Sequence, residues 1–482
     1  MDIRKRKRNI VIAIMVAMAL GAVEGTVVTT AIPTIVKDLN GFELISWIFS
    51  LYLLTSAIST PIYGKLSDLY GRKNTLCVGI IIFLIGSTLC GLSQNIYQLI
   101  AFRAMQGLGA GAIFTLTYTI VGDVFTLGER AKVQGWLSTV WGVSSLLGPF
   151  VGGFLIDNLS WHWIFFINIP FGIISIIILQ RNLEEQLEKK KHKIDFAGTI
   201  VLSIAIIILL LGTLFGGKNL IYLISAVIVT ALLCVLFYKI EQREPEPIIP
   251  FDIFTNTNIL VNIISFLAAA ILIAVDVYMP IYIQNILGFS AMVSGLVMAP
   301  MSISWLISSI LMAKAIPKYG EKDVVKFSSV FLLISCVLLP TLGLKSSLIL
   351  VLIYSSIMGV GLGGCFTTLT IVIQESVSYN KRGAATASNS LVRTLGQTIG
   401  VSIFGSIFNI CIVKYFSYLG IKGIDPGNLY ATSKLGVKIT TEQITSSLNL
   451  GLHKVFYVLI FISLVCLVLS YILPCELKEE SS

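Results

Sequence analysis

Long apolar runs separated by short polar breaks dominate the chain. Each run is close to the roughly 20 residues that a helix needs to cross a bilayer, whereas barrel strands need only about 10, so the spans are predicted to be helices. The pattern predicts an all-α integral membrane protein with fourteen spans. They lie near residues 9–36, 43–64, 74–93, 97–124, 131–156, 161–181, 197–215, 219–239, 256–286, 290–313, 324–343, 347–375, 383–413 and 452–473.

Composition supports this class. Hydrophobic residues make up 56% of the 482 positions and charged residues 12%, against about 25% in soluble domains. The first apolar run continues to Ile35, which is too long for a signal peptide, so we expect it to be retained as the first helix. The eight cysteines are scattered singly without CxxC spacing, and we expect neither a metal site nor a disulfide framework.

The net charge of +9 indicates membrane topology, because the basic residues lie in short loops between spans. Placing the N-terminus inside puts most of the 34 Lys and Arg residues on the cytoplasmic side. We therefore expect a plasma membrane protein with both termini in the cytoplasm, a long external loop at residues 414–450 and no nucleic-acid partner.

An internal repeat connects the two ends of the chain. A shift of 252 residues places Glu24 on Asp276 and aligns two glycine-rich segments. These are Gly107, Gly109, Gly111, Phe114 and Thr115 with Gly359, Gly361, Gly363, Phe366 and Thr367. The repeat predicts two six-helix halves, residues 1–182 and 253–482, joined by residues 183–252 with two inserted helices. Repeated halves of this kind are a carrier architecture, with substrate handled near the bilayer midplane.

The halves differ at several polar and helix-bending positions. Arg103 aligns with Ser355, and Gly148-Pro149 aligns with Gly400-Val401. We therefore expect the chemistry to be concentrated in the N-terminal half. The predicted helix bend comprises Gly148, Pro149, Gly152 and Gly153, although such residues also occur in passive helix packing.

Ionisable residues inside apolar runs are the main candidate site. A charge at a helix centre costs about 2.5 to 3.5 kcal/mol, so a retained one suggests function. We hypothesise that Glu24 carries the proton, that Arg103 tunes or shields it, and that Asp276 binds a cationic substrate or a second proton. Two alternatives remain: Arg103 forms a purely structural pair with Glu24, and Asp276 lines a wet vestibule without moving protons.

Several motifs resemble one transporter family. The loop Gly64–Lys73 is close to the major facilitator pattern G-x-L-[AS]-D-x-x-G-R-[KR], with a decayed copy at Lys314–Lys322. Leu99–Ala112 and Gly142–Gly153 resemble its fourth- and fifth-helix motifs. Trp161–Pro170 is similar to the sixth-helix signature of the fourteen-helix drug:proton antiporter branch. The resemblance implies the major facilitator fold, with two six-helix bundles and two inserted helices.

The first helix departs from that branch. Members of that branch usually have Asp followed by Thr in this helix. Here the run Glu24–Pro33 begins with a glutamate, which keeps a carboxylate on a longer side chain. The resemblance implies proton-coupled export of amphipathic compounds, including antibiotics, by an antiporter that needs no cofactor. Its expected partners are protons, the bilayer and small lipophilic or cationic substrates, and we expect a monomer.

The loop motif also predicts a conformational latch. Its residues are Gly64, Asp68, Gly71, Arg72 and Asp123, with Asp123 reaching the cytoplasmic level from span four. The alternative is an ordinary positively charged loop with a glycine turn. Four aromatic residues are candidates for a substrate cavity, although each could equally be a packing residue: Tyr52, Trp141, Tyr278 and Phe366.

Other function classes fit the sequence less well. An ATP-driven pump would need a G-x-x-x-x-G-K-[ST] loop, and an intramembrane hydrolase would need G-x-S-x-G or HExxH; the sequence contains none of them. A membrane receptor or channel is the remaining non-carrier alternative. Among carriers, the alternative is a proton-coupled transporter of one metabolite or lipid.

Overall fold

All regular structure in the described part of the chain is helical. The structure is a computed structural model. It describes residues 3–125, 127–183, 196–216, 220–244, 253–377, 382–421, 424, 426, 429 and 439–474.

The first part of the chain contains helices α1 to α7. They are α1 (Ile3–Leu39), α2 (Ile45–Tyr70), α3 (Arg72–Gly91), α4 (Ile96–Val124), α5 (Leu127–Asn158), α6 (Trp163–Phe166) and α7 (Asn168–Asn182). The span predicted near 161–181 is thus interrupted at Ile167. Pro170 has no N–H to donate to the Phe166 carbonyl, so the helical ladder breaks at this point.

The rest of the chain contains helices α8 to α15. They are α8 (Phe196–Gly216), α9 (Leu220–Glu241), α10 (Asn256–Ile281), α11 (Ala291–Tyr319), α12 (Glu321–Leu338), α13 (Leu348–Glu375), α14 (Arg382–Tyr418) and α15 (Thr441–Ile472). A π-helix at Tyr282–Ile286 continues α10 after Pro280, and a 3₁₀ turn at Leu339–Thr341 follows α12.

The helices confirm the predicted membrane class. Within the described residues, 13 helical stretches are long and apolar enough to cross a membrane, with α6 and α7 counted together as Trp163–Asn182. Helix α8 adds a shorter apolar stretch at Ala197–Leu209. Together these stretches match the fourteen predicted spans in order.

The predicted loop at residues 414–450 is shorter than expected. Helix α14 extends to Tyr418, and α15 begins at Thr441. A capping box starts α15, in which the Thr440 side chain and the Gln443 side chain each accept from the other residue's backbone N–H. This first part of α15 is polar, so hydropathy alone places the start of the helix too late.

The chain forms two compact units. Unit 1 comprises Met1–Gly212 and Leu223–Ile248, and unit 2 comprises Thr213–Tyr222 and Ile249–Ser482. Most of α8 and α9, the predicted inserted pair, therefore groups with unit 1. Each unit has its own cluster of buried apolar side chains.

Glycines let α4 approach its neighbours closely in unit 1. A Cβ added at Gly107 would lie 2.3 Å from the backbone oxygen of Tyr52 on α2. A Cβ added at Gly109 would lie 2.3 Å from the backbone nitrogen of Phe83 on α3. Only glycine permits these two helix contacts without a shift of the backbone.

The corresponding glycines do the same in unit 2. A Cβ at Gly359 of α13 would lie 2.1 Å from the Met301 oxygen on α11, and one at Gly361 would lie 2.7 Å from the Leu332 nitrogen on α12. The shift of 252 residues that aligns these glycines in the sequence therefore aligns equivalent helix contacts in the two units.

Candidate functional site

A buried ion pair connects α1 and α4 in unit 1. Glu24 and Arg103 are each 1% exposed. The Arg103 Nη1 donates to Glu24 Oε1 at 2.5 Å. Two charges removed from water need such compensation, because desolvation of either one alone is costly. The structure brings these two predicted site residues together, while the proton-carrying role of Glu24 stays a prediction.

Polar side chains complete the surroundings of this ion pair. The Asn168 Nδ2 donates to Glu24 Oε2 at 2.7 Å and to the Ser87 hydroxyl at 3.0 Å. The Arg103 Nη1 also donates to Gln106 Oε1 at 2.7 Å. The sequence motifs include Gln106 and Asn168, but sequence reasoning assigns them no role. The spacing of Gln106, one turn after an intramembrane arginine, is a usable signal. The 144 residues between Glu24 and Asn168 leave no local signal.

Tyr52 belongs to the same cluster. The Arg103 guanidinium lies over its ring, 4.1 Å from the centroid, in a cation–π contact. Tyr52 is 4% exposed, and its hydroxyl has no hydrogen-bond partner among the described residues. This predicted cavity residue therefore forms part of the arginine's surroundings.

The second predicted carboxylate has different surroundings. Asp276 lies in α10 and is half-buried. Its carboxylate makes no hydrogen bond or ion pair with any residue that the structure describes. The repeat explains the difference, because Ser355 occupies the position equivalent to Arg103 and donates to the Val351 carbonyl of its own helix at 2.6 Å. The two carboxylates that the repeat aligns therefore differ, because Glu24 has Arg103 as its partner and Asp276 has no partner among the described residues.

The other predicted cavity aromatics have separate environments. Tyr278 is 1% exposed, and its ring centroid lies 5.3 Å from that of Phe408. Trp141 is 40% exposed and stacks on Phe114 at 5.4 Å. Phe366 is 7% exposed and lies in α13 of unit 2. Of these three, only Trp141 presents a large exposed surface.

The latch motif forms an ion pair at one end of α3 and α4. The Arg72 Nε donates to Asp123 Oδ2 at 2.8 Å, and its Nη1 lies 3.4 Å from the Ser67 hydroxyl. Both side chains of the pair are partly exposed. The structure thus brings together Arg72 and Asp123, and their latch role stays a prediction.

Gly71 determines the turn in this motif. It separates α2 from α3 with φ of 91°, and Gly320 separates α11 from α12 with φ of 80°. Residues with a side chain rarely adopt this backbone conformation, which explains why glycine is present in both copies of the loop. Gly64 lies in α2 with space around it, and the side chain of Asp68 lies outside the described residues.

The predicted bend residues lie in α5, and two of them face α1 closely. They are Gly148, Pro149, Gly152 and Gly153. A Cβ at Gly148 would lie 1.9 Å from Thr26 Oγ1, and one at Gly152 would lie 2.6 Å from Thr30 Oγ1. Helix α5 is continuous through Pro149. The glycines therefore allow close packing of α5 on α1, and the bend stays a prediction.

Comparison with known proteins decides the class. The sequence profile of the Major Facilitator Superfamily matches residues 13–401. The chain belongs to the Major Facilitator Superfamily. This membership confirms the predicted fold and family, and it makes the chain a multi-pass membrane transporter and not an enzyme.

Curated relatives cover most of the chain. It is 36% identical to "Multidrug resistance protein 3" of Bacillus subtilis (strain 168) over 403 residues, which is 83% of this chain and 79% of the relative. It is 31% identical to "Multidrug efflux pump SdrM" of Staphylococcus aureus (strain N315) over 402 residues, which is 83% of this chain and 89% of the relative.

Solved structures support the fold. A bacterial homologue of the human lysosomal transporter Spinster, in an inward-facing and unoccupied conformation, aligns over 97% of both chains with a TM-score of 0.72 and 14% identity. A D-xylose–proton symporter aligns over 98% of both chains with a TM-score of 0.67 and 12% identity. At these identities the comparison concerns the fold alone.

Proposed function

We propose that this transporter exports amphipathic drugs or other toxic compounds across the cell membrane in exchange for protons, and that its substrates include lipophilic cations. The multidrug names of the B. subtilis and S. aureus relatives support drug export. The positions of the basic loops support a chain that acts with both termini in the cytoplasm. We propose that it acts as a monomer.

The observation that carries the proton exchange is the Asp276 carboxylate in α10, which has no partner among the residues that the structure describes. A carboxylate within a membrane span is either neutralised by a bound proton or paired with a bound cation. Each ligand removes the need for the other, so the two bind Asp276 in alternation. Mutually exclusive binding at one group is what an exchanger requires.

The ion pair in unit 1 has a second role in this proposal. Glu24 already has the Arg103 guanidinium and the Asn168 amide as partners. It can therefore accept a proton only when Arg103 moves to other acceptors, and Gln106 Oε1 is already at 2.7 Å from its Nη1. Glu24 is thus proposed as a proton-binding group coupled to movement of Arg103, and Asp276 as the group from which substrate displaces a proton.

Proton release from the purified transporter tests this proposal. Tetramethylrhodamine methyl ester, a lipophilic cation, is added to the detergent-solubilised protein in weak buffer, and released protons are measured with a pH indicator. The wild type and the surface control Asp323→Asn should release protons as the dye binds, because Asp323 is an exposed residue of α12. Asp276→Asn should not.

Two results would contradict the proposal. Dye binding to the wild type without proton release would exclude exchange. Equal release from Asp276→Asn and the wild type would exclude Asp276 as the exchanging group. Proton-driven dye transport by Glu24→Gln at the wild-type rate would separately remove Glu24 from the proton path.

A further inference from the structure

Arg393 of α14 is a second arginine within a membrane span. Its Nη2 donates to the Thr370 hydroxyl at 2.8 Å and to the Phe366 carbonyl at 3.2 Å, both on α13. Its guanidinium lies 4.6 Å from the centroid of the Phe366 ring. The partners of Arg393 in the described part of the chain are therefore neutral.

The remaining donors of Arg393 are unused. Its Nε is buried without a hydrogen-bond partner among the described residues, and its Nη1 makes no hydrogen bond with them. Arg103 differs, since Glu24 compensates its charge in unit 1. Within the described part of unit 2, Arg393 therefore has an uncompensated positive charge and free N–H groups, and a guanidinium of this kind suits a carboxylate.

Asp276 is too distant to be the missing partner. A Cβ added at Gly396 would meet the Phe266 backbone oxygen, and one added at Gly400 would meet Ala270, so these parts of α14 and α10 are level and run in the same direction. Arg393 precedes Gly396 by three residues, whereas Asp276 follows Phe266 by ten. The thirteen residues between their levels correspond to about 20 Å at the helical rise, well beyond the reach of an ion pair.

The repeat indicates that packing does not require this charge. The shift of 252 residues places Arg393 on Trp141 and Phe366 on Phe114. In unit 1 the neutral Trp141 ring lies on Phe114 at 5.4 Å. In unit 2 the Arg393 guanidinium occupies the same place on Phe366. An indole thus fills this position in one half, whereas the other half has a cation there.

Aromatic surface adjoins the guanidinium. Trp305 of α11 stacks on Phe366 with centroids 5.3 Å apart and an interplanar angle of 21°. The close approach of the two helices at Gly363 permits this stack, because a Cβ there would lie 2.4 Å from the Trp305 carbonyl oxygen. A positive charge beside stacked rings is suited to a flat aromatic compound that carries an anionic group.

We propose that Arg393, Phe366 and Trp305 form an anion-recognition subsite of unit 2, which accepts the carboxylate of aromatic zwitterions. The inference rests on the proposed drug export and extends its substrate class beyond simple cations. Arg393 binds the carboxylate, and the half-buried Trp305 ring contacts the aromatic part of the compound. Phe366 positions both side chains, since its ring contacts each of them.

A pair of dyes that differ in one group tests the subsite. Tetramethylrhodamine has a free carboxylate, whereas its methyl ester does not. Binding of each dye to the purified full-length protein is measured by fluorescence anisotropy for the wild type, Arg393→Gln, Arg393→Lys and the control Arg181→Gln, an exposed residue at the end of α7.

Arg393→Gln should weaken binding of the free-carboxylate dye by about tenfold or more and that of the ester by less than about twofold, because only the former loses a charge-assisted hydrogen bond. Arg393→Lys should retain part of the affinity, and Arg181→Gln should bind both dyes as the wild type does. Retained ester binding also verifies that Arg393→Gln is folded.

Three results would contradict the subsite alone, and a fourth would contradict the proposed function as well. The subsite would be overturned if Arg393→Gln weakened the binding of both dyes equally. It would also be overturned if the wild type bound the ester and did not bind the free-carboxylate dye. Both results would leave the proposed export intact. Unchanged binding of the free-carboxylate dye to Arg393→Gln would also overturn the subsite. Failure of the wild type to bind either dye would instead overturn the proposed function, and the subsite with it.

Discussion

The Arg103 guanidinium and the Glu24 carboxylate form an ion pair at 2.5 Å, and each residue is 1% exposed. Unit 1 thereby neutralises two of its intramembrane charges. In unit 2 the described residues provide no such compensation for Asp276 or for Arg393. The repeated halves thus share helix packing but differ in whether the described residues compensate their intramembrane charges.

Removing one partner of this ion pair should destabilise the protein more than removing both. Arg103→Gln leaves the Glu24 carboxylate buried without its cation, at a cost of about 3 to 5 kcal/mol. The double variant Glu24→Gln with Arg103→Gln leaves no charge and should recover most of that loss. Thermal unfolding in detergent, followed by intrinsic fluorescence, measures both. The compensation would be contradicted if the double variant lost as much stability as the two single variants added together. The control is Glu442→Gln, which changes an exposed position in α15.

The Arg72–Asp123 pair should affect turnover and not stability. Its side chains are 24% and 51% exposed, and such pairs contribute about 0 to 1 kcal/mol. Arg72→Ala should therefore slow dye transport while binding and unfolding temperature stay close to the wild type. Exchanging the charges, with Arg72→Asp and Asp123→Arg together, should restore part of the rate. Normal turnover of Arg72→Ala would argue against a latch.

Close helix packing at Gly107 should not tolerate a methyl group. The added Cβ would meet the Tyr52 backbone oxygen at 2.3 Å, so Gly107→Ala must separate α2 from α4. We expect a loss of about 1 to 3 kcal/mol, the usual effect of overpacking, measured as a lower unfolding temperature. Gly122→Ala in the same helix is the control, since nothing lies within 4 Å of its added Cβ. Similar unfolding temperatures for the two variants would contradict this packing.

Sequence reasoning predicts the helices well because a bilayer imposes a length and an apolar composition on each span. It places the start of α15 too late, since Thr441 and its neighbours form a capped but polar helical segment. It also misses the break at Ile167 between α6 and α7, where a proline inside an apolar run has only a local effect. Hydropathy windows average over both features.

The candidate site is only partly predictable. Glu24, Arg103 and Asp276 are identifiable because charges within apolar runs are rare. The Asn168 donor to Glu24 depends on how α7 packs against α1, and no local pattern indicates that contact. Similarly, sequence alone does not indicate that Arg393 lies on Phe366 without a carboxylate partner in the described residues.

Dye accumulation in inverted membrane vesicles tests proton-coupled export most directly. The vesicles are made acidic inside, their membrane potential is clamped at zero with potassium and valinomycin, and uptake of tetramethylrhodamine methyl ester is followed. The wild type and Asp323→Asn should accumulate the dye until the proton gradient is collapsed, and Asp276→Asn should match vesicles without the transporter. Accumulation by the wild type that survives collapse of the gradient, or wild-type accumulation by Asp276→Asn, would contradict the account.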